Sequence, residues 1–143
     1  MIGQVFLTVF SGVLVFALGQ VFVKFVIDPI QALYKVIGEV GHALIYYANR
    51  YSNTQVCLKS EMMEAHEAFR RLSGQLFLHA HVVPWYGVWA TLRFLPPHGD
   101  VQKAGGQLIG LSNGCLDQSD MAAEHNDTRR RNLERLLRLK TGG

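Results

Sequence analysis

Histidine side chains are the residues of this chain best suited to bind a metal ion or to transfer protons near neutral pH. His79 and His81 lie two residues apart on a predicted helix, so they point about 200° apart and cannot bind one ion together. The other four histidines are scattered along the chain: His42, His66, His98 and His125. The two cysteines, Cys57 and Cys115, form no closely spaced pair. Because a structural zinc site needs four converging ligands, the sequence predicts no metal and no other cofactor.

One serine has the sequence context of a nucleophile. Ser112 lies in the segment 110–114, which matches the GxSxG pattern of serine hydrolases. That pattern needs a strand before the serine and a helix after it, whereas here the preceding segment has helical spacing. Glu61, Glu64 and Glu67 lie on a flank that is predicted to be exposed, and they define no cleft. The sequence therefore predicts a protein that is not an enzyme, with an enzyme of unrecognised type as an alternative.

The element that positions the rest of the chain is an uncharged segment, Ile2 to Val23. At 1.5 Å per residue it spans roughly 33 Å as a helix, enough to cross a hydrocarbon core of about 30 Å. Residues 1–27 are therefore predicted to form one transmembrane helix. A cleavable signal peptide is the alternative, with Ala17 and Gly19 at a small-residue cleavage site. However, no basic residue precedes the run, and the run is longer than the apolar part of a signal peptide.

The charges that flank this helix predict its orientation. No basic side chain precedes it, whereas Lys24 and Lys35 follow it, with Asp28 between them. Because basic residues favour the cytoplasmic side, we expect a single-pass protein of the inner (cell) membrane with its N-terminus outside and its C-terminal domain in the cytoplasm. Two cysteines are too few for a secreted disulfide framework, which agrees with reduced thiols.

One face of the predicted membrane helix collects small and polar residues. At 100° per residue, these residues fall within an arc of about 100°: Gln4, Thr8, Ser11, Gly12, Val15 and Gly19. Ala17 and other apolar residues lie on the opposite side. Small residues let helix backbones approach, and polar side chains can form hydrogen bonds across the contact, so the face predicts self-association. In the alternative interpretation, Thr8 and Ser11 bond their own backbone and the glycines are ordinary membrane-helix composition.

Residues 28–53 are predicted to form a juxtamembrane amphipathic helix. Asp28 and Pro29 either start a new helix or kink a continuous one. Apolar residues then alternate at spacings of three and four over about three heptads: Ile30, Leu33, Ile37, Val40, Leu44, Tyr47 and Tyr51. The pattern predicts either a coiled coil that continues the membrane oligomer or an amphipathic helix that covers the core of the protein's own soluble domain.

Residues 54–143 are predicted to form a small soluble domain of three or four helices. The predicted helices run from Ser60 to Pro84, from Pro84 to about Leu95, from Val101 to Ser112 and from Asp127 or Thr128 to about Lys140, with a polar loop over 116–126 before the last one. The fold class is thus all-α: one N-terminal transmembrane helix followed by a small cytoplasmic helical bundle.

Three aromatic residues lie close together at the start of the second of these helices, namely Trp85, Tyr86 and Trp89. Such a cluster favours aromatic packing in the core against the preceding helix. Contact with the membrane interface and a surface that stacks on a ligand are the alternatives.

The last predicted helix is the most basic part of the chain. It carries six basic residues: Arg129, Arg130, Arg131, Arg135, Arg138 and Lys140. Against them stands only Glu134, and the whole chain has a net charge of +3. A basic helix tethered near a membrane predicts contact with anionic lipid. Nucleic acid is a weaker candidate, because no groove-reading motif is present; a solvated outer face is the remaining alternative.

Short motifs distributed over most of the chain resemble those of a known group of proteins. They are Asp28-Pro29, Ile37-Gly38, Ala48-Asn49, Pro84-Trp85-Tyr86, the segment 108–113 and Arg129-Arg130-Arg131. In this order they resemble a group of small bacterial membrane-anchored proteins without an assigned activity. The resemblance implies a bacterial origin and the layout described above, and it implies no function.

These patterns predict a non-enzymatic, membrane-tethered interaction or assembly protein. We expect it to form a homo-oligomer through its first two helices, in contact with membrane lipid and with an unidentified protein partner as a further candidate. A membrane-disrupting or permeabilising effector is the alternative, since an assembly of membrane helices can also perturb a bilayer.

Overall fold

A computed structural model describes residues 1–141, and every regular element in that range is helical. The elements are α1 (Ile2–Phe22), a π-helical turn (Val23–Ile27), α2 (Asp28–Tyr46), α3 (Ala48–Ser52), α4 (Lys59–Val82), α5 (Tyr86–Thr91), α6 (His98–Gly114) and α7 (Ala122–Leu136). The predicted all-α class is confirmed. The predicted domain boundary at residue 143 extends beyond the described residues.

The first two helices form one uninterrupted helix of 45 residues, Ile2–Tyr46. Proline lacks a backbone N–H, and its ring collides with the carbonyl group four residues earlier. The π turn immediately before Pro29 changes the hydrogen-bond register, so the N–H of Asp28 donates to the carbonyl of Val23, five residues back. The chain therefore neither breaks nor starts a new helix at Pro29.

The apolar seam of α2 packs into the core of the protein's own bundle. Leu33, Ile37, Val40 and Leu44 are buried there, and Ile30 packs against their edge. Their partners include α4, where Phe69 contacts Tyr47 and Tyr51 at ring-centroid distances of 5.8 and 6.1 Å. The coiled-coil interpretation of this seam is therefore corrected: its residues are covered by the chain itself. Residues 28–53 accordingly share one core with the domain that follows them.

The faces predicted for α4 and α6 are buried as expected. They comprise Met62, Ala65, Phe69, Leu72 and Leu76 on α4, and Val101, Ala104, Leu108 and Leu111 on α6. These two helices make the largest contact in the described part of the chain, and α7 also packs against α6. The bundle therefore consists of α2, α4, α6 and α7 around one core.

The last helix starts five or six residues earlier than predicted, at Ala122. Its first turns contain Asn126, which is fully buried and donates from Nδ2 to the carbonyl groups of Tyr51 (2.9 Å) and Gly114 (3.1 Å). An added Cβ at Gly114 would collide with this amide. The polar composition of 116–126 suggested a loop, but part of that polarity serves this buried junction between α3, α6 and α7.

The course of the helices defines two ends of the bundle. The chain moves away from α1 along α2 and returns along α4, since Phe69 near the middle of α4 already faces the end of α2. The segment that follows α4 lies beside the first half of α2, where Arg93 and Phe94 line a cleft with Tyr34 and Ile37. We name this the near end, because it is the end that adjoins α1.

Candidate functional site

The first candidate site is the small-residue face of α1. No residue of α1 is buried, and no atom lies within 4 Å of a Cβ built on Gly12 or Gly19. The hydroxyl of Thr8 donates to the carbonyl of Gln4 (2.9 Å), and the hydroxyl of Ser11 donates to that of Thr8 (2.9 Å). The two hydroxyl donors are thus satisfied within the helix, as the alternative interpretation expected. What this face offers a second helix is close backbone approach at its glycines.

The second candidate site is a groove of about 390 Å³ between α4 and α6. Glycines on both helices make room for it, and Ser73 at its floor donates from Oγ to the carbonyl of Gly105 (2.9 Å). Its lining is mostly apolar: Gly74, Phe77, Ala80, Val101, Gly105, Gly106 and Ile109, with Arg70, Gln102, His81 and His98 at the edges. The volume is that of a small ligand pocket.

The groove brings together histidines that are distant in sequence. His81 on α4 lies against His98 on α6, with ring centroids 5.4 Å apart, and His98 also contacts the ring of Tyr86 at 5.1 Å. His79 does not line the groove. Within residues 1–141, no three side chains of the histidine, cysteine or carboxylate type are grouped as a metal site would need. The groove lining contains the two histidines but no carboxylate and no cysteine.

Ser112 has a structural environment rather than a catalytic one. It lies inside α6 and is fully buried, so no substrate reaches its hydroxyl. Its Oγ donates to the carbonyl of His66 (2.9 Å) and lies 2.8 Å from His66 Nδ1. These bonds join α6 to α4. The residue therefore holds two helices together and does not sit on a strand-to-helix elbow.

Much of the positive charge of α7 is compensated by carboxylates. Arg130 pairs with Asp127 at 3.0 Å and with Glu134 at 2.8 Å, and Arg131 pairs with the second oxygen of Asp127 at 2.8 Å. Arg129 is half-buried and donates to Oδ1 of Asn126 (3.2 Å). These arginines were predicted as one lipid-binding surface, and the partners of these contacts are residues of α7 itself.

The remaining basic residues of that prediction are exposed: Arg135, Arg138 and Lys140. Arg135 donates to Oδ1 of Asn132 (3.4 Å), a neighbour on its own helix. Arg138 lies beyond the end of α7 and donates from a guanidinium nitrogen to the carbonyl of Arg93 (3.3 Å). This contact brings Arg138 to the near end of the bundle, and anionic lipid remains a prediction for its charge.

The aromatic cluster divides between the core and the surface. Tyr86 is buried and donates its hydroxyl to the carbonyl of Pro96 (2.8 Å), and burial raises its pKa to about 12. Trp89 donates from its indole nitrogen to the carbonyl of Pro84 (3.1 Å) and packs against Phe94. Trp85 is different, because 70% of it is exposed. Core packing is confirmed for Tyr86 and Trp89 and is wrong for Trp85.

No protein-family model, curated protein sequence or solved structure matches this chain. The resemblance to small bacterial membrane-anchored proteins, and the bacterial origin that it implies, therefore stay predictions.

Proposed function

We propose that this protein is a single-pass, membrane-tethered interaction or assembly protein without enzymatic activity. The observation that carries the proposal is the 45-residue helix, whose first half is apolar and wholly unburied while its second half lies in the core of the bundle. An apolar helix with no protein around it needs a lipid environment to be stable. Because the helix does not break, it would hold the bundle rigidly at the membrane surface.

The inner (cell) membrane, with the N-terminus outside, is the location we propose. Lys24 and Lys35 are both exposed and follow the apolar half, which agrees with a cytoplasmic bundle. Lys24 forms an ion pair with Asp28 at 3.3 Å, so part of its charge is compensated by a neighbour one turn away.

Self-association is proposed for α1 alone. The seam of α2 is covered by α4, which leaves Gly12 and Gly19 as the positions where a second helix can approach closely. Close approach favours packing between membrane helices, in which lipid chains provide no hydrophobic driving force.

The mass of the full-length chain in lipid nanodiscs tests this proposal. We expect the wild type to form a defined oligomer and Gly12→Leu/Gly19→Leu to be monomeric, because two leucines would separate the backbones. Ala17→Leu is the matched control, since it adds similar bulk on the opposite side and should leave the oligomer intact. A wild-type monomer would rule out self-association, and extraction of the wild type by alkaline carbonate would rule out the membrane anchor.

A further inference from the structure

The chain between the end of α4 and the start of α6 exposes a run of large apolar side chains. Val82, Trp85, Val88, Leu92 and Phe94 are each more than half exposed. We name these five residues the α5 patch, since α5 lies in their middle. Exposed apolar residues are common singly, but five within thirteen residues, one of them a tryptophan, are typical of a contact surface.

The α5 patch belongs to the near end of the bundle. Phe94 lines a cleft with Tyr34 and Ile37, and Tyr86, between Trp85 and Val88, lies near enough to Tyr34 for that phenol to contribute to its raised pKa. The patch is therefore beside the first half of α2, from its second turn to its middle, and not at the far end where α2 meets α3.

Burial along the long helix shows how close this end comes to α1. No residue of α1 is buried, and the first buried residue is Val26, with 3% of its surface exposed. Val26 lies two residues after Lys24, the first charged side chain, which is about 3 Å along the axis. The polar interface of a bilayer is roughly 5–7 Å thick on each side. The bundle therefore starts within the layer that the headgroups of a membrane around α1 would occupy. Tyr34, beside which the patch lies, is ten residues or about 15 Å farther along the axis than Lys24. The patch therefore reaches that layer when the long helix tilts toward its side, and tilts of about 0–40° occur in membrane helices.

The charges around the patch fit an anionic surface. Residues 82–94 contain no carboxylate and one arginine, Arg93, which lies between Leu92 and Phe94 of the patch. Arg138 reaches the same place through its hydrogen bond to the carbonyl of Arg93. Both guanidinium groups lie on exposed residues, so they can face lipid phosphates.

Left-handed backbone occurs at this end. Within residues 1–141, the non-glycine residues with positive φ are Trp85 (49°), Arg93 (63°) and Arg138 (56°). Arg93 and Arg138 follow the ends of α5 and α7, where the N–H of Phe94 donates to the carbonyl of Trp89 and that of Leu139 to the carbonyl of Glu134, as in a helix C-cap. Trp85 immediately precedes α5. In this chain all three belong to the near end, and one of them presents an exposed indole.

We infer that the α5 patch is a lipid-contact surface that lies in the bilayer interface beside α1, with Trp85 among the carbonyl and headgroup atoms and Arg93 and Arg138 at anionic phosphates. Tryptophan favours this layer because its ring is apolar and its N–H needs a polar partner. The inference rests on the proposed membrane span. With two contacts on one membrane, α1 and the patch, the bundle would keep one fixed face toward the bilayer.

Tryptophan fluorescence in vesicles that contain brominated lipids tests the inference. Trp85 and Trp89 are the two tryptophans of the chain, so Trp89→Phe leaves Trp85 as the only emitter. We expect lipids brominated near the carbonyl end of the acyl chain to quench Trp85, and lipids brominated near the chain terminus to quench it less. Iodide in the buffer should quench Trp85 less in vesicles than in the urea-unfolded chain. The converse variant, Trp85→Phe, reports on the half-buried Trp89 and should show weaker lipid quenching.

A second reporter separates failure of this inference from failure of the membrane anchor. Phe10→Trp, combined with Trp85→Phe and Trp89→Phe, places the only tryptophan in the middle of α1 and should be quenched by lipids brominated near the chain terminus. If that reporter is quenched while Trp85 responds to iodide and not to brominated lipid, the patch is free of the membrane and the inference is overturned. If neither reporter is quenched by lipid, the proposed anchor itself fails. Replacing anionic lipid by phosphatidylcholine should reduce the quenching of Trp85, and an unchanged signal would overturn the role assigned to Arg93 and Arg138.

Discussion

The two halves of the long helix differ in how their apolar residues are arranged. In α1 apolar residues lie on all sides and none is buried, whereas in α2 they form one seam that is buried against α4. A helix that is apolar all round is stable only in a wholly apolar environment, and a one-sided helix needs a single partner surface. One continuous helix therefore contains two structural elements, the uncovered apolar α1 and the covered amphipathic α2. The boundary between them is the π turn before Pro29.

The largest expected effect is a loss of stability that a substitution in α2 should cause and the same substitution in α1 should not. Leu33→Ala removes a fully buried side chain from the α2 seam and should lower the free energy of unfolding by about 2–5 kcal/mol. Leu14→Ala makes the same change on the uncovered half and should leave the unfolding of the bundle unaltered. Urea titration of detergent-solubilised protein, followed by near-ultraviolet circular dichroism, measures both. Equal losses for the two variants would contradict the division of the helix into a covered and an uncovered half.

Two glycine substitutions also distinguish the packed bundle from the uncovered helix α1. Gly114→Ala should destabilise the protein by about 1–3 kcal/mol, because its methyl group would collide with the buried amide of Asn126. Gly12→Ala meets no atom of its own chain within 4 Å and should leave the unfolding of the bundle unaltered. Thermal unfolding of both variants beside the wild type compares them. A Gly114→Ala variant as stable as the wild type would show that the junction with Asn126 is not closely packed.

High pH should destabilise the bundle and spare α1, which has no titratable side chain. Burial raises the pKa of Tyr51 and of Tyr86 to about 12, from an ordinary value of 10.0. Above pH 10 the unfolded chain loses these protons while the folded chain keeps them. Stability is therefore fully present below about pH 10 and falls as the pH rises toward 12. Melting temperatures measured between pH 8 and pH 11 test the direction of this change. Tyr51→Phe should make the melting temperature depend less on pH. A melting temperature that rises with pH would exclude buried tyrosines as the cause.

The smallest effect is a difference in thiol reactivity within the bundle. Burial raises the pKa of the Cys115 thiol to about 12, so almost no thiolate exists at neutral pH and a maleimide should not react with it. Cys57 is half-exposed and should react. Mass spectrometry should find one label on the folded chain and two after unfolding in urea. Two labels on the folded chain would mean that the core around Cys115 opens readily.

The same cysteine tests the proposed orientation. A membrane-impermeant maleimide added to intact cells should leave Cys57 unlabelled if the bundle is cytoplasmic, and should label it after the cells are broken. Labelling in intact cells would place the bundle outside.

Several helices could be predicted because their spacing is local information. The stripe from Met62 to Leu76 and the face from Val101 to Leu111 repeat with the helical period, and burial follows from that period alone. Likewise, the uncharged run from Ile2 to Val23 has the length and the apolar composition that are typical of a membrane-spanning helix. The groove could not be predicted, because it pairs His81 with His98 and depends on glycines from two helices that meet only in the fold.

The sequence by itself determined the all-α class and the apolar character of the first helix, since both depend on the order of residues along one segment. Only the tertiary structure decided which partner covers the α2 seam. The same spacing suits a second copy of the chain and the chain's own α4, and only the three-dimensional packing distinguishes them. The tertiary structure also decided the different environments of Trp85 and Tyr86. Trp85 is exposed whereas the adjacent Tyr86 is buried, and the left-handed backbone at Trp85 belongs to a turn that no local pattern in the sequence predicts.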